Sequence, residues 1–294
     1  MRRCAKLLTG ISPRCSLTAA AVVLASCSIS AQSTLVLDQL LDRMGAYLIE
    51  YEGQLSSLVA DERFEQSIAP RGRLSGERLL LESEVAFLRL PGDAEWLGFR
   101  DVKKLNSKPI PDPGPPISEL LASPADAFAK AVRVARASAR HNLGLPRTIN
   151  TPTTPLHIIH PRYRRAHRFE LAGEASLRGQ RAAILSFREG ARPTLVREPS
   201  GGNLVSSGRI WVDAQTGTVL RVQWNYQAER ISVGAQAVGR PFVRVEFGRH
   251  EGLQMMVPLE MREVFFTRTG HGDGRATYRN FRRFGTSARI VPQD

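Results

Sequence analysis

Four carboxylates that could serve as a general acid or base lie within or at the end of predicted strands, each beside an arginine. The pairs are Glu62 with Arg63, Asp101 with Arg100, Glu189 with Arg188 and Glu263 with Arg262. Glycoside hydrolases need only two such carboxylates, so a carboxylate-dependent hydrolase is one hypothesis. Neighbouring side chains on a strand point to opposite faces, so the adjacent arginine is not the partner of each acid. We favour inward carboxylates that bind cations from other strands and stabilise the sheet.

Three histidines, His157, His160 and His167, are close enough in sequence to suggest zinc binding. Pro161 and four nearby arginines argue against a metal cation there. The chain has no nucleophile elbow, zinc-protease helix, phosphate loop or dinucleotide fingerprint. The glycine-rich stretch 270–274 is predicted to be a hairpin turn. The sequence therefore predicts a protein that is not an enzyme and that holds no metal or cofactor.

The first 31 residues have the pattern of a secretory signal peptide. Four cations precede the apolar run from Leu17 to Ala25, which is too short to be a permanent membrane span. Cleavage at a lipobox would leave a lipid anchor on Cys27, whereas cleavage after Ala31 would leave Gln32 first. Both alternatives stay open. The mature chain, residues 32–294, has no further span and is predicted to be an exported single domain, in the periplasm or anchored to the outer membrane.

The composition limits the kinds of partner. The net charge is +13, and only five of the 41 cations are lysine. The arginines are spread over nearly every predicted strand, with no single basic element carrying interleaved aromatics, so no nucleic-acid partner is expected. A basic stripe on one helix (Lys130, Arg133, Arg136 and Arg140) is either a solvated face or a contact with an anionic envelope surface. All three cysteines lie in the first 27 residues, so the mature domain needs no disulfide.

Helical spacing and strand alternation predict the elements that must position these residues. Leucines, tyrosines and Met44 recur at helical spacing over residues 34–58. A proline-rich linker at 109–116 precedes a second helix over 124–141. A β-meander follows over 168–290, and Ile210 is predicted to share a buried face with Val222 and Trp224. The fold class is therefore α+β, with a curved antiparallel β-sheet forming an open half-barrel under two or three helices.

Several motifs carry a resemblance. They are Trp96-Leu-Gly-Phe-Arg-Asp-Val102, Ser138-Ala-Arg-His-Asn-Leu-Gly144, Arg147-Thr-Ile-Asn150, Arg192-Pro-Thr-Leu195, Gly208-Arg-Ile-Trp-Val-Asp213 and Ala276-Thr-Tyr-Arg-Asn-Phe-Arg-Arg-Phe284. They resemble those of an uncharacterised family of secreted bacterial proteins, which brings no established activity. In element order the chain is also similar to periplasmic lipoprotein carriers of the Lol type (LolA/LolB-like). That resemblance implies an open sheet whose concave face holds acyl chains under a helical lid.

The predicted function is binding of a lipid or an acylated protein in an apolar concavity. The alternatives are a non-catalytic structural or interaction module of the envelope and, third, the hydrolase. Seven large apolar residues are candidates for lining the concavity: Trp96, Phe99, Trp211, Trp224, Phe247, Met255 and Phe265. Each of them could equally be ordinary core.

Overall fold

The computed structural model describes most of the chain after residue 18. The described ranges are 19–56, 58–70, 76–89, 96–112, 114, 116–120, 124–144, 147, 149–198, 201–229, 241–266 and 270–283. The described chain falls into two compact units, a helical segment up to Gln39 and a body from Leu40 onward. The body carries all the features discussed below.

The described residues form four α-helices, one 3₁₀ helix and twelve strands. The helices are α1 (Ala19–Leu55), α2 (Ile117–Leu120), α3 (Pro124–Ala139), the 3₁₀ helix (Thr154–Ile158) and α4 (Pro161–Arg164). The strands are β1 (Leu58–Pro70), β2 (Glu77–Arg89), β3 (Trp96–Leu105), β4 (Lys108–Pro109), β5 (His167–Leu177), β6 (Gln180–Glu189), β7 (Val196–Arg197), β8 (Asn203–Val212), β9 (Val219–Ala228), β10 (Phe242–His250), β11 (Met255–Phe266) and β12 (Gly270–Arg283).

All strands belong to one antiparallel sheet. Its order is β4-β3-β2-β1-β12-β11-β10-β9-β8-β6-β5, and the short β7 also pairs with β8. The last strand therefore pairs with the first, with Phe64 opposite Ala276. No pairing joins β4 to β5 in the described ranges, so the sheet is open. The predicted fold class, α+β with a curved open antiparallel sheet and covering helices, is confirmed.

The amphipathic helix predicted over residues 34–58 is the second half of a longer helix. α1 begins at Ala19 and ends at Leu55, so it runs through Cys27 and Ala31. Within the body it buries the predicted stripe, and the buried residues are Leu40, Leu41, Met44, Leu48, Tyr51 and Leu55. The rest of the predicted leader, residues 1–18, lies outside the described ranges. No helix within those ranges is both long enough and apolar enough to cross a bilayer.

The glycine-rich stretch 270–274 was predicted to be a turn, and this prediction is wrong. These residues are the first five of β12. A Cβ atom at Gly272 would lie 2.1 Å from Cζ of Phe265, and one at Gly274 would lie 2.6 Å from Cε2 of Phe64. Aromatic rings from the neighbouring strands thus fill the space beside the glycine backbone. Glycine is needed here for close packing within a strand and not for a turn.

Candidate functional site

The candidate lining residues are divided between the two faces of the sheet. We call inner the face that is covered by α1 from Leu40 onward and by residues 142–160. Trp224, Phe247, Met255 and Phe265 lie on this face and are buried. The ring of Tyr51 from α1 meets Phe247 edge-on at 6.4 Å between centroids. The inner face is therefore packed against its covering elements.

Phe99 and Trp211 are on the opposite face, so the prediction that they share one concavity with Trp224 is wrong. Phe99 is opposite Ala86 and packs against Ala127 and Ala131 of α3. Trp211 is opposite Arg221, whose guanidinium lies 5.0 Å from the ring centroid. Side chains alternate along a strand, so Trp211 and its neighbour Ile210 face opposite ways.

Trp96 is the first residue of β3, and its side chain lies outside the described part of the structure.

An open groove of about 770 Å³ lies between α1 and one end of the sheet. Its apolar lining includes two of the candidate residues. The apolar and aromatic lining residues are Ala46, Tyr47, Tyr51, Leu177, Leu220, Phe247, Met255 and Met256. Tyr47 and Tyr51 stack at 5.4 Å between centroids, one turn apart on α1. Ligand pockets typically have volumes of about 300–1,000 Å³, so the groove could hold one small amphiphile.

Three arginines from three different elements line the same groove. Arg43 is on α1, Arg178 is in the turn between β5 and β6, and Arg249 is on β10. Arg43 donates to the carbonyl of Ala214 at 2.9 Å, and Arg178 donates to the carbonyl of Phe247. Arg249 donates to the side-chain amide oxygen of Gln254 at 2.6 Å. Each of these hydrogen bonds ends on a neutral oxygen, so the guanidinium charge is not neutralised by them.

A second feature of the inner face is a buried polar network that contains two ion pairs. Arg100 binds Glu62, with one hydrogen bond of 2.8 Å from Nη2 to Oε1. Arg147 binds Glu263, with Nη2 2.7 Å from Oε1, and its guanidinium lies 3.7 Å from the ring centroid of Phe265. Asn150 links the pairs, because its carbonyl accepts from Arg100 and its amide donates to Glu263.

The network decides between the two interpretations of these carboxylates. The side chains of Glu62 and Glu263 are 0% exposed, and each is held by a guanidinium. A general acid or base must reach its substrate, which these two carboxylates do not do. The arginines adjacent to them in sequence bind other acids, with Arg63 on Glu65 and Arg262 on Glu260. The predicted inward orientation is confirmed for both, and the predicted cation from another strand is confirmed for Glu62, whereas Arg147 lies outside any helix or strand.

The other two carboxylates are satisfied in different ways. Asp101 lies 2.7 Å from Nζ of Lys103 on its own strand. Burial raises the pKa of Asp101, and Lys103 offsets part of that effect. Glu189 is buried and accepts hydrogen bonds from the backbone amides of Leu195 (2.6 Å) and Ser206 (3.0 Å). The expectation of a cation from another strand is therefore wrong for these two acids.

The three clustered histidines all contact Tyr163, and two of them contact other groups within the described residues. Nδ1 of His160 accepts from the backbone amide of Arg162, and Nε2 lies 3.4 Å from Glu52 on α1. Nδ1 of His167 lies 3.1 Å from the carbonyl oxygen of Tyr163. The ring centroids of His157 and Tyr163 are 6.1 Å apart. This arrangement anchors α4 to its neighbours, including α1.

Comparisons with known proteins were made for the sequence and for the fold. No protein-family model and no curated protein matches the chain. Several solved structures are similar, and three of them are as follows. A domain assigned to the outer-membrane lipoprotein-sorting proteins, from Vibrio parahaemolyticus, is 12% identical with a TM-score of 0.40, over 85% of this chain and 94% of that one. A LolA-superfamily protein from Nitrosomonas europaea is 11% identical with a TM-score of 0.31, and the match covers 84% of this chain and 95% of that one.

The third is a DUF1329-family protein from Desulfovibrio piger, 13% identical with a TM-score of 0.33, over 85% of this chain and 93% of that one. The presence of a LolA-superfamily protein among these structures agrees with the architectural resemblance seen in the sequence. At these TM-scores the likeness carries no functional argument, and the function proposed below rests on the chain's own residues.

Sequence reasoning missed most of the groove. The tyrosines of α1 were recognised only as part of its apolar stripe, and Arg43 and Arg249 stand in ordinary helical and strand patterns. Arg178 is the exception, because it precedes Gly179 in a two-residue turn between strands. Such turns favour Asn-Gly or Asp-Gly. The arginine at this unusual position could have been recognised from the sequence as a candidate functional residue.

Proposed function

We propose that the protein is exported by its N-terminal leader and binds a lipid or a lipid-modified partner in the groove between α1 and the sheet. The observation that carries the proposal is the lining of this 770 Å³ groove, in which apolar and aromatic side chains from α1, β5, β9, β10 and β11 lie beside polar ones. Burying one acyl chain there would remove apolar surface from water on both the ligand and the protein.

The site differs from the concavity expected from sequence. The four candidates on the inner face are all buried, with exposed fractions of 1% for Trp224 and Phe247, 3% for Met255 and 4% for Phe265. Among the candidates whose side chains are described, Phe247 and Met255 line the groove. The binding surface is therefore the rim between helix and sheet, and α1 forms one wall. We infer that α1 moves away from Phe247 when a long chain enters, because Tyr51 now contacts that ring.

The non-catalytic interaction module is the second candidate. β5 is an edge strand of 11 residues, and Leu171 on it is 42% exposed. An exposed edge can pair with an extended segment of another protein. This candidate predicts protein partners and no bound lipid.

Native mass spectrometry of the full chain, purified from a bacterial periplasm and followed by solvent extraction, tests the proposal. We expect stoichiometric lipid or fatty acid. Leu177→Gln, in the groove, should lower the bound fraction, whereas Leu171→Gln, the same change elsewhere on β5, should not. A mass without ligand that stays unchanged after incubation with envelope lipids would contradict the proposal and favour the interaction module.

A further inference from the structure

The charge distribution of the groove indicates which end of an amphiphile its rim would contact. Five lining residues are charged: Arg43, Arg178, Arg249, Glu50 and Asp213. Both Asp213 oxygens are already engaged, since Oδ1 accepts from the amides of Gln215 and Thr216 and Oδ2 accepts from Gln180. Glu50 accepts from Gln54, one turn further along α1. The cations outnumber the acids, and their hydrogen bonds within the described part of the chain end on neutral oxygens.

The backbone of Arg178 is a second, independent observation. Its φ is +50°, in the left-handed region, and Gly179 after it has φ +81°. Two-residue turns of this kind favour asparagine at the first position, because a Cβ-bearing residue other than Asn or Asp is strained there. The chain nevertheless places an arginine at this position and directs it to the carbonyl of Phe247. Local strain of this kind is often retained for function.

A third observation is the hydroxyl of Tyr51. This residue lines the groove and is 2% exposed. Its hydroxyl has no hydrogen-bond partner in the described residues. Burial raises its pKa well above the usual value, and the neighbouring Tyr47 adds to the effect. The phenol therefore stays protonated and can donate, which suits an anionic or carbonyl oxygen.

We propose that the groove selects an acyl-chain amphiphile with one anionic head group, a carboxylate or a phosphate. Arg43, Arg178 and Arg249 bind the head group, and the apolar lining holds the chain. An anionic oxygen adds a Coulombic attraction to the guanidinium that a neutral carbonyl or amide oxygen does not supply, so the head group would replace the present neutral partners. This inference rests on the proposed function and specifies its ligand class.

The experiment compares three probes by isothermal titration calorimetry with the full chain. They are palmitate, its uncharged glycerol monoester and inorganic phosphate. We expect palmitate to bind about tenfold more tightly than the ester, the change expected for one charge-assisted hydrogen bond. Arg178→Asn should reduce this preference without lowering the unfolding temperature, since Arg43 and Arg249 remain and asparagine suits the turn. Arg181→Asn is the matched control, because Arg181 binds Glu174 in the same hairpin and does not line the groove.

The outcomes separate this inference from the proposed function. Equal affinity for palmitate and the ester would overturn head-group selection and leave lipid binding standing. Phosphate binding as tightly as palmitate would also overturn it, because the site would then bind the anion without the chain. Failure of both amphiphiles to bind would contradict the proposed function itself. If Arg178→Asn and Arg181→Asn lose the preference for palmitate equally, the effect is one of overall charge. That result would contradict a specific role of Arg178.

Discussion

Glu62 on β1 and Arg100 on β3 form a buried ion pair across the intervening strand β2. The side chains are 0% and 5% exposed, and the guanidinium also lies 4.7 Å from the ring centroid of Phe64. Because β1 and β3 do not pair with each other, this contact ties together three strands at one side of the sheet. The pair is held in place by the carbonyl of Asn150, 3.0 Å from Nη2 of Arg100.

Removal of one partner should be far more costly than removal of both. Arg100→Met leaves the Glu62 carboxylate buried without its cation, so we expect the free energy of unfolding to fall by about 3–5 kcal/mol. Urea denaturation measures this change. Arg181→Met, at an exposed pair with Glu174, should cost less than about 1 kcal/mol. The double variant Glu62→Leu/Arg100→Met should recover much of the loss; if it is less stable than Arg100→Met, the argument fails.

Gly272→Ala should destabilise the sheet although it adds only a methyl group. The new Cβ would lie 2.1 Å from Cζ of Phe265, which forces the ring or the strand to move. Overpacking of this kind typically costs about 1–3 kcal/mol. Thermal unfolding measures it. Gly53→Ala is the matched control: no atom lies within 4 Å of its Cβ position on α1, so a gain of about 0.5–1 kcal/mol is expected. Equal effects of the two substitutions would contradict this account.

Stability should decrease as the pH falls below about 6.5, the ordinary pKa of histidine, in part because of His167. Burial lowers the pKa of His167, partly offset by the Tyr163 carbonyl and by Glu189. The folded protein then binds fewer protons than the unfolded chain between the two pKa values, so stability is complete above the unfolded value and is lost on acidification. The loss levels off below the folded pKa. His167→Asn should reduce the slope of the free energy of unfolding against pH in this range. An unchanged slope would show that other groups cause the loss of stability.

The leader can be tested on the full chain expressed in a bacterium. We expect the mature chain to begin either at a diacylglyceryl-modified Cys27 or at Gln32, because the sequence supports both processing sites. The intact mass of the product distinguishes the two. Cys27→Ser distinguishes them: it should abolish membrane association only if Cys27 is lipidated. Recovery of the unprocessed chain from the cytoplasm would contradict export.

Local sequence patterns predicted most of the elements. Alternation of apolar residues predicted the β-meander that contains β6 to β12, and the helical stripe predicted the part of α1 in the body. These signals come from neighbouring residues and so survive without knowledge of the fold. The failures also have a local cause: Trp211 was grouped with Trp224 by residue type, although its own alternation with Ile210 places it on the other face.

The sequence by itself determined an open antiparallel sheet with helices and the inward orientation of Glu62 and Glu263. Tertiary structure decided which cations they bind. Arg147 lies in an irregular segment with no periodicity, and its partner Glu263 is 116 residues away. The groove likewise combines α1, a hairpin turn and the end of β10, which meet only because β12 pairs with β1 and the chain folds back on itself. Such contacts depend on long-range pairing, and no short-range pattern encodes them.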